Sequence, residues 1–261
     1  MKFAHASDID RLIEEQAASW PMLARGMEGL RHALTKPVDV NGFRIQVRHL
    51  PHRIVSTTAN VDPDSVAKRP CFLCPSNLPP EEEGLEFNDD YTIYCNPFPI
   101  LEKHLTIVHR HHRPQRIAGQ IENMLALAEA LPGFFVIYNG ARCGASAPDH
   151  LHFQACWGKG VPIIDQGLPS FGLRVDPVLA ESIIGTPEPL VNIAAFRDGG
   201  ETVVVVFRRS KHRPAVFHSG ELTVSPATID LCGVFVTPVE KDFHKITGDD
   251  IRRIIEEVTI P

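Results

Sequence analysis

Residues 149–154 read Asp-His-Leu-His-Phe-Gln, polar and apolar in strict alternation from His150 onward, and this stretch restricts the possible folds more than any other. Side chains of an extended strand point to opposite faces in turn. The pattern therefore puts His150, His152 and Gln154 on one face, and Leu151 and Phe153 on the face that needs a core. Two imidazoles and a carboxamide would line one wall; a strand face bathed in solvent is the plain alternative. Just upstream, residues 139–146 read NGARCGAS. Small residues there allow a backbone to approach a phosphate closely, with Ser146 and main-chain N–H groups as donors.

The rest of the chain supplies the scaffold such a strand requires. Apolar spacing predicts a helix over 8–19, with Ile9, Leu12, Ile13, Ala17 and Trp20 on one face. A second helix is expected from Pro21, carrying Leu23, Met27, Leu30 and Leu34, and ending at Pro37. Strands are expected at 43–49, 53–58, 91–95, 104–109, 134–138 and 150–157, with a helix at about 115–131 striped by Ile117, Ile121, Met124, Leu125, Ala128 and Leu131. The Pro- and acid-rich stretch 62–90 reads as loop. Further strands are expected at 191–196, 202–208 and 231–237, where Val203–Phe207 is apolar enough to be buried on both faces. Thr247 and Asp250 form the signature of a capped final helix with Ile251, Ile254, Ile255 and Val258 inside. Antiparallel strands with a crossing helix make this an α+β chain. It divides into N-terminal helices (1–37), a first half that carries the histidine strand (38–162) and a looser second half (163–261).

Composition narrows the partners. At 43% hydrophobic and 22% charged, the 261 residues can bury a sizeable core. A net charge of −6 argues against a general nucleic-acid binder, although a local cluster of cations would still serve an anionic small molecule. No apolar run reaches the roughly 18 residues of a membrane span, and the first 15 residues lack the apolar core of an export signal. The expectation is a cytoplasmic protein with no membrane partner. Six cysteines are too sparse for a disulfide scaffold. Cys95, Cys143, Cys156 and Cys232 lie in small or apolar surroundings and read as buried residues.

Cys71 and Cys74 differ, forming a Cys-x-x-Cys pair followed by a proline-rich loop. A redox pair would place its first cysteine at a helix N-terminus, so metal binding is favoured. Zinc commonly completes two thiolates with two imidazoles, and His104, His109, His111, His112 and His150 are the candidates. Arg110 and Arg113 in HRHHRP, and the cluster RRSKHRP at 208–214, could face anions or simply coat a solvated strand end.

Four stretches together resemble the transferase branch of the histidine-triad superfamily: RPCFLCPSN, NPFPILEKHLTIVHRHHRPQ, YNGARCGAS and HLHFQACW. That branch holds the galactose-1-phosphate uridylyltransferases, the GDP-hexose phosphorylases and the diadenosine tetraphosphate phosphorylases. The resemblance covers residues 40–160, and the remainder is similar in outline to a degenerate second half of the same type. It implies a histidine-triad-like antiparallel sheet with packed helices. Hydrolases of the superfamily carry a third histidine where this chain has Gln154, and the glutamine goes with nucleotidyl transfer. His152 would then attack the α-phosphate to form a covalent nucleotidyl-histidine, with Gln154 bonding the phosphoryl oxygens. Asn139 and Ser146 match phosphate-contacting positions, and Asn96 and Phe98 match positions that hold the nucleoside. The stretch from Gly144 to the first histidine is one residue longer than in the uridylyltransferases, which bears on Ser146. The metal set implied is Cys71, Cys74, His112 (with His111 the neighbouring register) and His150, holding structural zinc or, alternatively, iron.

The chemistry agrees with imidazole nucleophilicity near neutral pH, and with a glutamine that supplies hydrogen bonds but exchanges no proton. The function expected is nucleotidyl transfer between a nucleoside diphosphate sugar and a phosphate or sugar 1-phosphate acceptor. The alternatives are a dinucleoside polyphosphate phosphorylase or hydrolase, and a zinc-stabilised nucleotide-binding protein without turnover. A homodimer is the oligomer the resemblance implies.

Overall fold

The computed structural model describes residues 6–185 and 188–260. The first five residues of the expected 1–37 segment therefore lie outside the description. Helices α1 (Ala6–Ser19) and α2 (Pro21–Arg31) lead into an antiparallel hairpin of β1 (Leu34–Val40) and β2 (Phe43–His49). Next come α3 (Ile54–Thr57), α4 (Pro63–Lys68), β3 (Gly84–Glu86), β4 (Tyr91–Cys95), β5 (Leu105–His109), α5 (Ile121–Ala130), β6 (Phe134–Asn139) and β7 (His152–Trp157). The chain continues through α6 (Pro162–Asp165), β8 (Leu173–Val175), α7 (Pro177–Ile184), β9 (Val191–Asp198) and β10 (Glu201–Arg208). It closes with α8 (Ala215–His218), α9 (Thr228–Leu231), β11 (Val234–Thr237), α10 (Glu240–Lys245) and α11 (Gly248–Val258).

Two sheets result. The larger has strand order β3-β4-β5-β7-β6-β9-β10-β8, antiparallel throughout. The smaller, β1-β2-β11, joins the antiparallel hairpin to a parallel β11. The fold is α+β, as the alternating segments imply. Hydrogen bonding between β6 and β9 carries the large sheet from residues 38–162 into residues 163–261 without a break.

Each face of the large sheet has its own core. On one, Ile107, Phe153, Val136 and Val204 pack with Ile121, Met124 and Leu127 of α5. On the other, Phe135, Ile137, Cys156, Val203 and Val205 meet Ile45, Val47 and Phe235 of the small sheet and the Ile251, Ile254 and Ile255 stripe of α11. Val203–Phe207 is buried on both faces, as its unbroken apolar run implies. Leu12, Trp20 and Leu23 of the N-terminal helices form a smaller cluster against Cys95. Gly26 lets α2 press onto the Pro97 carbonyl; a Cβ built there would collide with that oxygen. Among the described residues no helix is long and apolar enough to cross a membrane.

Several expected elements differ. The second helix stops at Arg31, and Leu34 and Pro37 belong to β1. Pro37 is tolerated because β1 is an edge strand and needs no further ladder bond. The turn to β2 is made by Asn41 and Gly42, both at positive φ (54° and 84°), the arrangement a two-residue hairpin favours. The expected strand at 53–58 is helical: Pro51 opens a 3-10 turn and α3 follows. The stretch read as loop holds α4 and the short β3. Helix α5 begins at Ile121, not 115, because Gln115 uses its side chain between strands and Gly119 turns the chain at φ 71°. Residues 228–231 form α9, so the strand expected at 231–237 is only β11.

Candidate active site

Strand β7 begins at His152, and its alternation then runs as expected, with Phe153 in the α5 core and His152 and Gln154 lining a cavity of about 590 Å³. His150 does not share that wall. The chain at 147–151 is a turn, closed by His150 N donating to Ala147 O (3.3 Å) and Leu151 N to Arg113 O (2.7 Å), and it swings His150 towards the cysteines.

His152 is buried yet lines the cavity. Its Nδ1 lies 2.8 Å from the His150 carbonyl, which can only accept. Nδ1 therefore carries the proton, and Nε2 keeps its lone pair. Burial pushes the imidazole down to about 4, so the ring is neutral at neutral pH.

Gln154 is oriented by a chain of hydrogen bonds that starts at the backbone. Ile100 N donates to His104 Nδ1 (3.1 Å), which leaves the His104 proton on Nε2. That N–H donates to Gln154 Oε1 at 2.7 Å. The Gln154 carbonyl is thus turned away, and its NH2 group is the end available to an acceptor. Burial drives His104 down to about 3, keeping it neutral in this role. His104, one of the candidate metal ligands from sequence, orients Gln154 instead.

The other expected contacts line the same cavity. Asn139 Oδ1 accepts from Asn192 Nδ2 (3.1 Å), Thr228 N (3.0 Å) and Thr228 Oγ1 (2.6 Å), which assigns its donor end away from that cluster. Ser146 follows Gly144, whose φ of 121° and close approach to Ala227 leave no room for a side chain. Asn96 Oδ1 accepts from Phe98 N (2.9 Å), folding the NPF turn, while Asn96 Nδ2 donates to Thr106 Oγ1 (3.0 Å). With strands about 4.8 Å apart, the Tyr94–Asn96 end of β4 stands two strands, roughly 10 Å, from β7. That arm of the cavity is largely apolar, with Trp20, Met22, Leu78, Pro79 and Tyr94. The carboxyl of Glu82, also in this arm, is pushed up to about 7 by burial.

Arg53 is a cavity residue that the sequence reading passed over. Its Nη1 donates to the Phe98 carbonyl at 2.9 Å, and burial lowers it only to about 10, so it stays charged. Asp230 also lines the cavity and accepts from Ala227 N and Val236 N, both at 2.9 Å. Nothing in the one-dimensional pattern distinguishes Arg53 from a surface arginine; a misread strand hid the turn that points it inward. The basic run 208–214 is mainly structural. Arg209 is buried and donates to the carbonyls of Val258, Lys211 and His212, and Arg213 donates to those of Thr57 and Ala59.

Beside the start of β7, ligand atoms of Cys71, Cys74, His112 and His150 all lie within 4.8 Å of one another. Cys71 Sγ is 3.2 Å from His150 Nδ1, and Cys74 Sγ is 3.2 Å from His112 Nδ1. His150 Nε2 donates to the His109 carbonyl at 2.7 Å, so the Nδ1 lone pair faces the thiols. A metal-bound histidine needs that tautomer, and the two-sulfur, two-nitrogen set suits a tetrahedral ion. His111 lies outside the group, its backbone N bonded to His109 Nδ1. Arg69 joins the cysteine loop to the turn before β7 through Asp149 (2.9 Å).

A family model described as a domain of unknown function (DUF4922) matches residues 12–157. No curated protein matches the chain. Among solved structures, the chain is similar to the yeast Ap4A phosphorylase Apa2 at 16% identity, with a TM-score of 0.65 over 100% of this chain and 99% of that one. The same yeast protein in complex with Ap4A gives 0.66 at 16% identity, covering 100% and 99%. In complex with AMP it gives 0.61 at 16% identity, covering 100% and 98%.

Proposed function

The chain belongs to the family described as a domain of unknown function (DUF4922), and from that premise we propose that it is a nucleotidyltransferase of the histidine-triad type, cleaving a dinucleoside polyphosphate with phosphate. The single observation that carries the reading is the pair on β7: a neutral imidazole with its Nε2 lone pair free beside a carboxamide whose donor end is free, both lining one cavity. The full-length likeness to a fold whose solved examples hold Ap4A and AMP favours the dinucleoside polyphosphate over the nucleoside diphosphate sugar.

In this reading the nucleoside lies in the apolar arm beside Tyr94, Asn96 and Phe98, and the α-phosphate reaches His152. Nε2 attacks the α-phosphorus, the bond to the bridging oxygen breaks, and the remaining nucleoside polyphosphate leaves. Orthophosphate then attacks the same phosphorus, the N–P bond breaks, and a nucleoside diphosphate departs with His152 restored. Gln154 NH2, the Asn139 amide, Ser146 and Arg53 supply donors and positive charge to the phosphoryl oxygens. Cys71, Cys74, His112 and His150 would hold zinc, whose contribution is to fix the loop and the His150 carbonyl that orients His152.

The test incubates the protein with dinucleoside polyphosphates and nucleotide sugars, with and without phosphate, and weighs the intact chain for a nucleotide adduct. The expected result is an adduct on wild type, its discharge by phosphate to nucleoside diphosphate, and neither in His152→Gly. An undiminished rate in His152→Gly removes the proposed nucleophile. Equal release of nucleoside monophosphate with or without phosphate makes the enzyme a hydrolase.

A further inference from the structure

Strands β6 and β7 pair in register from Phe134 opposite Trp157 to Ile137 opposite Gln154. Two residues further, that register sets Asn139 opposite His152, but the ladder has already stopped. The side chain of Gln115 stands in the opening. Its Oε1 accepts from His152 N (2.8 Å), while its Nε2 donates to His152 O (3.0 Å) and Asn139 O (2.9 Å). A carboxamide carries the same donor and acceptor as a peptide group, so Gln115 replaces the missing rung and holds the two strands apart.

The wedge is itself fixed. Gln115 is 1% exposed. Its N donates to Pro148 O (3.2 Å), and its carbonyl accepts from Tyr138 Oη (3.2 Å). Glu188 secures the same turn, accepting from Tyr138 Oη (2.9 Å) and from Ile117 N (2.8 Å).

The parted strands carry two of the groups that meet at phosphorus: His152 with its Nε2 lone pair, and Asn139 with its donor end free of the Asn192–Thr228 cluster. A directly hydrogen-bonded pair would bring their Cα atoms to about 5.5 Å and close the room between them. The geometry points to Gln115 as the positioning residue that sets the gap between β6 and β7, and with it the placement of the His152 imidazole against the phosphorus. This rests on His152 being the nucleophile. Base and ribose sites lie on β4, two strands away, so loss of the wedge acts on the chemical step and not on nucleoside affinity.

The experiment measures single-turnover adduct formation with Ap4A in wild type, Gln115→Met and Gln115→Asn, alongside substrate affinity and thermal midpoint. Met removes the donor and acceptor; Asn keeps the carboxamide one methylene short. Both variants are expected to label about 100-fold more slowly, the scale of a nucleophile misplaced by an ångström, with affinity within about 3-fold of wild type. Labelling at the wild-type rate in either folded variant overturns the positioning role, as does parallel loss of rate and affinity. If Met prevents folding, Asn decides; if neither folds, Gln115 is a structural residue and the inference fails. Absence of label on wild type across the nucleotide panel defeats the transferase reading and this inference with it, whereas strong label on all three proteins defeats the inference alone.

Discussion

A neutral imidazole and a carboxamide become useful at phosphorus only when each presents the correct atom, and here both orientations are set by hydrogen bonds from the backbone. The His150 carbonyl settles the proton of His152, and Ile100 N, acting through His104, settles the direction of Gln154. Removing His104 frees the Gln154 amide to turn its oxygen towards the phosphate. His104→Ala is therefore expected to slow adduct formation by about 100-fold, comparable to losing one donor from a charged transition state, and burst kinetics will measure it. His104→Gln, which can still donate to Gln154 Oε1, should recover part of that loss. A His104→Ala protein with the wild-type burst rate would mean the carboxamide needs no holder.

At the scale of elements, the cysteine loop is the part of the site with the least secondary structure of its own. Between α4 and β3 it rests on a 3-10 turn, the bond from Asn77 to the Cys71 carbonyl (2.8 Å), and the four candidate ligands. Cys71→Ser is expected to remove bound zinc, measured by mass spectrometry of metals, and to lower the thermal midpoint by several degrees. The chemical step should change less than the midpoint. Equal metal content in Cys71→Ser and wild type would exclude the four-ligand set. The sequence was legible where one segment carried its own signal. The alternation of Phe153 against His152 and Gln154, the apolar run of β10 and the capping box of α11 each predict an element that is present. It was illegible where distant partners decide: Arg53 turns inward on a 3-10 turn that the sequence reads as strand, and Gln115, in a span expected to be helical, stands between two strands.

For the molecule as a whole, buried histidines dominate the response to acid. Burial holds His104 near 3 and His212 near 4, both below the value of about 6.5 expected in an unfolded chain. Above pH 6.5 both are neutral in either state and add no pH dependence. As pH falls below 6.5 the unfolded chain takes up protons that the folded chain refuses, so stability is lost progressively towards pH 3 to 4. Asp230 and Glu82, raised by burial to about 6 and about 7, act oppositely as pH falls from 7 to 4, but together they are displaced less than His104, His212 and His152, the last also held near 4 by burial. Urea midpoints should fall between pH 7 and pH 5, and less steeply in His104→Gln. A flat profile would show that these rings ionise without unfolding.

The parallel pairing of β11 with β2 joins segments nearly two hundred positions apart, and β11 and the segment before it supply Ser225, Ala227, Ile229, Asp230 and Val236 to the cavity wall. Such a contact cannot form while the distal segment is still inside the ribosome. The cavity is therefore closed late in biogenesis, after His152 and Gln154 have already been synthesised. A nascent chain would carry β7 for some time without the wall that completes the cavity.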